Sequence, residues 1–498
     1  MPQLPPFLKE AKTKKKTAQR APESADEYLA VGVEQEEAGE KWRAGDAAKS
    51  LRFFKRAIST YDEGLSKHPG AFDLAYNKAR VQYEVTQHPK LKAQLSAPLG
   101  DVLHEALESH RLALALEQDS SDALFNTGQV LTSIAEILTD SKHPSDERLS
   151  RAVKLLQEAI ELFQRCLLLQ EMKYTELQEQ IKQLESGDAG QSEVMTQSTI
   201  HSELSPETKS DEQEQWAAII EPVTKDTLVD TAIAQLDTLT TLCNLLTFNP
   251  GVGLGWVEEY SSDLLQKRIA TYVEGSSRQH EAALARAKFT CGLNELLYRS
   301  GQIEPETYFN QVSQAFGAGL DVSADPGGLC SKADALTSFN TALIDLPPYE
   351  PELFTKALSL RWQALSAALD ALTKASKHPE ADDLPKIHLA RGDVEIARWR
   401  LGMPPWNHAM AQQYAVTLLR NAQTYYRGAA ALARRDGVAE ELRDGSCKEA
   451  IAAALEGQKE KLEQLRRAAP KELMMVAEDV VGDGWMSPGD MEVLISQS

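Results

Sequence analysis

From Ser24 to about Leu184, apolar residues recur three or four positions apart among Ala, Leu, Glu, Gln and Lys, a spacing that lays one stripe along a helix. No stretch alternates residue by residue as a half-buried strand would, so the fold class reads as all-α. Residues 186–215 break the pattern with Ser, Thr, Gln and seven carboxylates against Lys209. They hold too little large apolar surface to offset the entropy of ordering the chain, and read as a disordered acidic linker. Helical spacing resumes at Trp216 and runs to about Arg467, interrupted by turn formers at 248–256, 321–328, 345–351 and 402–408. The expected organisation is a basic disordered tail (1–23), a helical-repeat domain (24–185), the linker (186–215), a second helical-repeat domain (216–468) and an acidic-hydrophobic C-terminal tail (469–498).

Within the helical stretches a motif recurs. Leu124, Thr127, Gly128 and Leu131 in SDALFNTGQVL precede Ala159-x3-Phe163 and Cys166. Upstream, Ala79 precedes Ala106, His110 and Ala113, and Gly45-Asp46 precedes Ser50-x3-Phe54 and Ala57; near the other end stand Ala422-x3-Tyr426 and Ala429. These positions resemble the tetratricopeptide repeat (TPR), a helix pair whose small residues let the two helices approach. Gly128, inside a helix, costs about 1 kcal/mol relative to Ala unless such a contact needs it. Three diverged repeats cover roughly 26–170. Ser50, Ala106 and Ala159 lie 56 and 53 residues apart, against a family period of 34, so the excess is assigned to a lengthened helix before Pro69 and to insertions near 86–101 and 139–150.

The resemblance implies an α-solenoid of TPR-like helix pairs, in two helical blocks, with the first helix of each pair lining a concave surface. That face carries Asp73, Tyr76, Asn77, Arg80 and Tyr83, then Asp122, Phe125, Asn126 and Gln129, which become the expected partner-binding groove. The family's carboxylate clamp for heat-shock chaperone tails needs Lys, Asn, Asn, Lys and Arg. Here Gln35 and Gly39, or in another register Leu29 and Val33, stand at the first two positions; Asn77 fits the third, and Asp122 and Asn126 occupy the last two. An aspartate repels a carboxylate, so those tails are disfavoured partners.

Charge adds a direction. The formal net charge of −21 divides into +5 for residues 1–20 and −26 for the remainder. An acidic body with pI near 5.0 argues against direct nucleic-acid binding, which needs clustered Lys and Arg, and suits a basic protein partner. Lys12, Lys14, Lys15 and Lys16 read as a nuclear-import signal. The sequence lacks a signal-peptide core and any long apolar run, so no membrane association and a cytoplasmic or nuclear location are expected.

Candidate chemistry is sparse. Cys166, Cys243, Cys291, Cys330 and Cys447 are scattered, without ligand spacing for a metal. G-x-G-x-G at Gly251, Gly253 and Gly255 follows a helical stretch instead of a strand and reads as a turn. His68, His88, His143 and His378 each precede Pro at a helix end and read as C-terminal cations with a stop signal. Glu34, Glu36 and Glu37 read as a solvated face. No metal, cofactor or catalytic set is expected. The leading function is a non-enzymatic adaptor or dedicated chaperone gripping a partner in the concave face, with a basic nuclear or ribosomal client as its concrete form. A constitutive subunit of a larger assembly is the first alternative. An enzyme with a divergent helical active site is the second, and a polar pocket holding a carboxylate or His of strongly shifted pKa would favour it.

Overall fold

The computed structural model describes residues 21–140, 144–185, 222–249, 253–317 and 319–496. The expected import signal at Lys12, Lys14, Lys15 and Lys16 and the expected linker at 186–215 lie outside these residues. The chain divides into two compact units, with the boundary in sequence between Leu169 and Gln170. Among the described residues every regular element is helical, and the fold is all-α.

The first unit contains α1 (Ala25–Arg43), α2 (Ala47–Lys67), α3 (Phe72–Gln87), the single turn α4 (Pro89–Lys92), α5 (Leu99–Leu116), α6 (Ser121–Leu138) and α7 (Asp146–Glu185), and the boundary falls within α7. Starts are set by side-chain caps: Ser24 and Glu27 form a capping box on α1, and Asp46 and Ser120 cap α2 and α6. Three pairs result, α1 with α2, α3 with α5, and α6 with α7. Close approach explains the small residues. A Cβ on Gly128 would lie 2.7 Å from the Phe163 ring, and one on Gly39 would lie 3.1 Å from Phe54. Ser50 donates its hydroxyl to the Gly39 carbonyl at 2.7 Å. The insertion at 86–101 forms α4, whose Leu91 is fully buried. His68 and His88 end α2 and α3, and His378 follows the helix Pro351–Ala375; His143 lies outside the described residues.

The second unit continues with α8 (Lys225–Leu246), α9 (Leu254–Asp263), a π-helical turn (Leu264–Arg268), α10 (Ile269–Val273), α11 (Gln279–Arg299), α12 (Pro305–Ala315), α13 (Pro326–Asp345) and α14 (Pro351–Ala375). It ends with α15 (Leu384–Arg400), α16 (Ala409–Gln413), α17 (Ala415–Asp436), α18 (Ala439–Leu455), α19 (Glu460–Ala468), α20 (Pro470–Gly482) and α21 (Pro488–Ser496). Gly253, at φ 90°, caps the start of α9, Gly255 lies within the first turn of that helix, and Gly251 lies outside the described residues. The repeat expected at Ala422 and Tyr426 has its partner in α15: a Cβ on Gly392 would lie 2.3 Å from the Tyr426 ring.

Over its described residues, 469–496, the segment expected as a tail is not one. Leu473, Val476, Ala477, Val480, Trp485 and Met491 are buried in the core of the second unit, and the Trp485 ring stacks on Tyr426 at 5.9 Å. Its apolar residues are spaced for one helical stripe, and their burial outweighs the acids, which stay on the outer face.

Candidate protein-binding groove

The first helices of the three N-terminal pairs, α1, α3 and α6, present polar side chains that connect across the pairs. Glu36 of α1 is buried, and it accepts from the Tyr61 hydroxyl of α2 and from the Arg80 guanidinium of α3. Arg80 also reaches Glu84 at 3.3 Å, and Glu84 pairs with Arg43 at 3.0 Å, itself 2.6 Å from Glu40. Burial, and then the neighbouring Glu40, push the Glu84 carboxyl up from its ordinary value. Burial works against the Arg80 charge, but Glu36 and Glu84 hold it protonated with a raised pKa.

The residues expected in the groove divide between two roles. Tyr76 accepts from the Asn126 side chain at 3.0 Å, a direct link from α3 to α6, and burial pushes its phenol up to about 12. Tyr83 and Ser133 form a second link at 3.1 Å, while Asn77 donates to the Asp73 carbonyl at 2.8 Å and accepts from Arg80 at 3.3 Å. Asp73 and Asp122 are exposed, and Gln129 is half-buried on α6. Phe125 packs edge-on against Phe163 with ring centroids 5.5 Å apart, so it serves the α6–α7 contact.

Sequence reasoning placed Glu36 on a solvated face. Glu34 and Glu37 are exposed, but Glu36 is not. The two registers weighed for α1 are also replaced: Gln35 accepts from Thr60 of α2 at 3.1 Å, Gly39 faces Phe54, and Leu29 packs on the core. Glu36, Glu40 and Arg43 are the α1 residues that face α3. The signal that could have found them is the pair Gly32 and Gly39, seven residues apart, which marks the side turned to α2; a Cβ on Gly32 would lie 2.1 Å from Tyr61.

The second unit repeats the linkage. Tyr426 of α17 donates to Asp393 of α15 at 2.7 Å, and Lys448 of α18 donates to the same carboxylate at 2.8 Å. Among the described residues no group of three or more His, Cys, Asp or Glu side chains is placed to hold a metal ion, and no helix is long and apolar enough to cross a membrane.

Helix pairs in succession, joined by buried small residues and by polar links between first helices, define a helical-repeat protein. No protein-family model matches the chain. It is similar to UPF0656 protein C926.02 of Schizosaccharomyces pombe (strain 972 / ATCC 24843), 25% identical over 434 residues that span 85% of this chain and 87% of that protein. Among solved structures, a circular tandem repeat protein with novel repeat topology and enhanced subunit contact surfaces aligns with 93% of this chain and 99% of its own, at 14% identity and a TM-score of 0.30.

Proposed function

We propose that this protein is a non-enzymatic adaptor or dedicated chaperone whose TPR-like first helices α1, α3 and α6 hold a basic segment of a partner protein. The observation that carries this reading is the charge of that face. Glu36, Glu40, Asp73, Glu84, Asp122 and Glu136 stand there against Arg43 and Arg80, and both arginines are engaged by their own carboxylates. Such a surface attracts clustered Lys and Arg and repels an acidic chaperone tail. A basic nuclear or ribosomal client fits this chemistry, and Lys12, Lys14, Lys15 and Lys16 would carry the complex between cytoplasm and nucleus.

A fluorescent Lys/Arg-rich peptide titrated against the full chain tests the groove. Glu40→Gln, Glu84→Gln and Asp122→Asn combined are expected to weaken binding by at least about tenfold, since each removes a charge near the ligand. Equal binding by the triple variant, or equal binding of a Glu-rich peptide, would falsify the reading. Removal of residues 1–20 is expected to lower the nuclear fraction of a tagged chain, as imaged in cells.

A second reading, a constitutive subunit of a larger assembly, draws support from exposed apolar side chains in the second unit. Tyr349 is fully exposed, and Ile344 and Leu346 are 41% and 45% exposed. Size-exclusion with light scattering separates the two: a monodisperse monomer supports the chaperone, and self-association of the isolated chain supports the subunit.

A further inference from the structure

In the second unit, α8, α11, α12 and α13 line a pocket of about 150 Å3 that is open to solvent. This is well below the roughly 300–1,000 Å3 of sites that take a drug-sized ligand, so the space suits one side chain. Its polar lining is weighted toward acceptors. Thr240 already donates its hydroxyl to the Leu236 carbonyl at 2.8 Å, which leaves only lone pairs facing the cavity. Asn244 adds an amide from the same helix. Asp334 stands on the opposite wall at the solvent-exposed mouth, and among the described residues it has no ion pair or hydrogen bond.

The surrounding charges leave a negative excess. Glu295 is held by Arg299 at 2.9 Å, and Arg299 also serves Asp345 at 2.9 Å. Lys288, at the rim, is engaged by Asp237 at 2.8 Å. Four carboxylates, Asp237, Glu295, Asp334 and Asp345, therefore share the two cations Lys288 and Arg299. Partial loss of water pushes the Glu295 carboxyl up, while Asp334, exposed at the mouth, is open to an incoming cation. The same cavity carries no activated nucleophile: burial holds the Cys291 thiol up at about 12, and among the described residues no histidine lines the wall. Tyr308 and Ala335 supply apolar surface of the kind a methylene stem covers.

We propose that this cavity receives a single lysine or arginine side chain of a partner protein, with its cationic head on Asp334 and Asn244 and its stem along Ala335 and Tyr308. The inference rests on the groove reading only for the class of partner. It concerns separate residues, and a small probe tests it without the groove.

The test is saturation-transfer NMR on the full chain with N-acetyl-lysine methylamide and N-acetyl-arginine methylamide. The uncharged norleucine analogue serves as stem control and putrescine as a free diamine. Affinity for one charged side chain is expected at about millimolar. Asp334→Asn is expected to reduce binding at least about fivefold, and Ala335→Leu, which fills the space without touching charge, to abolish it. Glu352→Gln, on exposed surface of α14, and the triple groove variant are expected to leave it unchanged. Asp334→Asn removes a carboxylate without a partner, so its thermal midpoint is expected to stay at or above that of the parent, which keeps the result interpretable. Equal binding by Asp334→Asn, or by norleucine, would overturn the proposal. Putrescine binding more than tenfold tighter than the lysine derivative would overturn it in favour of a free polyamine.

Discussion

At Gly128 a single hydrogen stands where any other residue would place a carbon 2.7 Å from Phe163. Gly128→Ala gains about 1 kcal/mol of helix propensity and loses more to overpacking, for an expected net loss of about 1–2 kcal/mol in urea unfolding. Gly45→Ala, with nothing within 4 Å of its Cβ, is expected to stay within about 0.5 kcal/mol of the parent. The position of Phe54 and Phe163 in their pairs is taken in the middle pair by His110, whose Nδ1 bonds the Ala106 carbonyl at 2.8 Å while its buried Nε2 has no partner among the described residues. Burial depresses the His110 pKa below 6.5, so the unfolded chain binds this proton more readily than the folded one. Stability is therefore held above about pH 6.5 and lost as pH falls toward the depressed value. His110→Phe is expected to shrink the loss of thermal midpoint between pH 7.5 and 5.5, leaving the share contributed by His388 and His408, which burial also depresses. Gly128 and Phe163 were legible because they follow the repeat pattern. Glu36 was not, because a glutamate amid Glu34 and Glu37 differs from them only in which helix it faces.

Among the elements, α20 and α21 were the least legible. Leu473, Val476 and Val480 have helical spacing, but Gly482, Gly484, Pro488 and the acids between them look like a frayed end. The deciding contact is long-range: Trp485 lies on Tyr426, some sixty residues earlier, and no local pattern announces it. Truncation after Ala468 is expected to cost about 5 kcal/mol or more through loss of these buried side chains, and to expose apolar surface that binds a hydrophobic dye. Arg80→Ala leaves Glu36 and Glu84 without their shared cation and is expected to cost about 1–3 kcal/mol by denaturant unfolding. The insertions were legible as excess length, but not as α4 with its buried Leu91, because four residues carry no periodicity.

For the whole molecule, the −26 carried by residues 21–498 is a long-range field, and its effect on a basic partner is screened by salt. Capture of the Lys/Arg-rich peptide is expected to weaken roughly tenfold between about 50 and 300 mM salt, measured by anisotropy; a flat response would assign the binding to shape and apolar contact instead. The all-α repeat class was readable across the chain because it rests on periodicity alone. The polar links between pairs were not, since they depend on which side of each helix meets the next.

Those links bear on how such a chain can change over time. Glu36, Tyr61 and Arg80 come from the successive helices α1, α2 and α3, and Asp393, Tyr426 and Lys448 from α15, α17 and α18, with only the short α16 between. A helix pair copied or deleted as a cassette would bring its tyrosine and carboxylate and leave the cation behind on the next helix. In the first unit the buried Glu36 carboxylate would then lack its counter-ion, a penalty that interchangeable repeats do not carry. Duplication or swapping of one pair should therefore be tolerated only when the following helix moves with it, and the heritable unit of this protein is three helices where the structural unit is two.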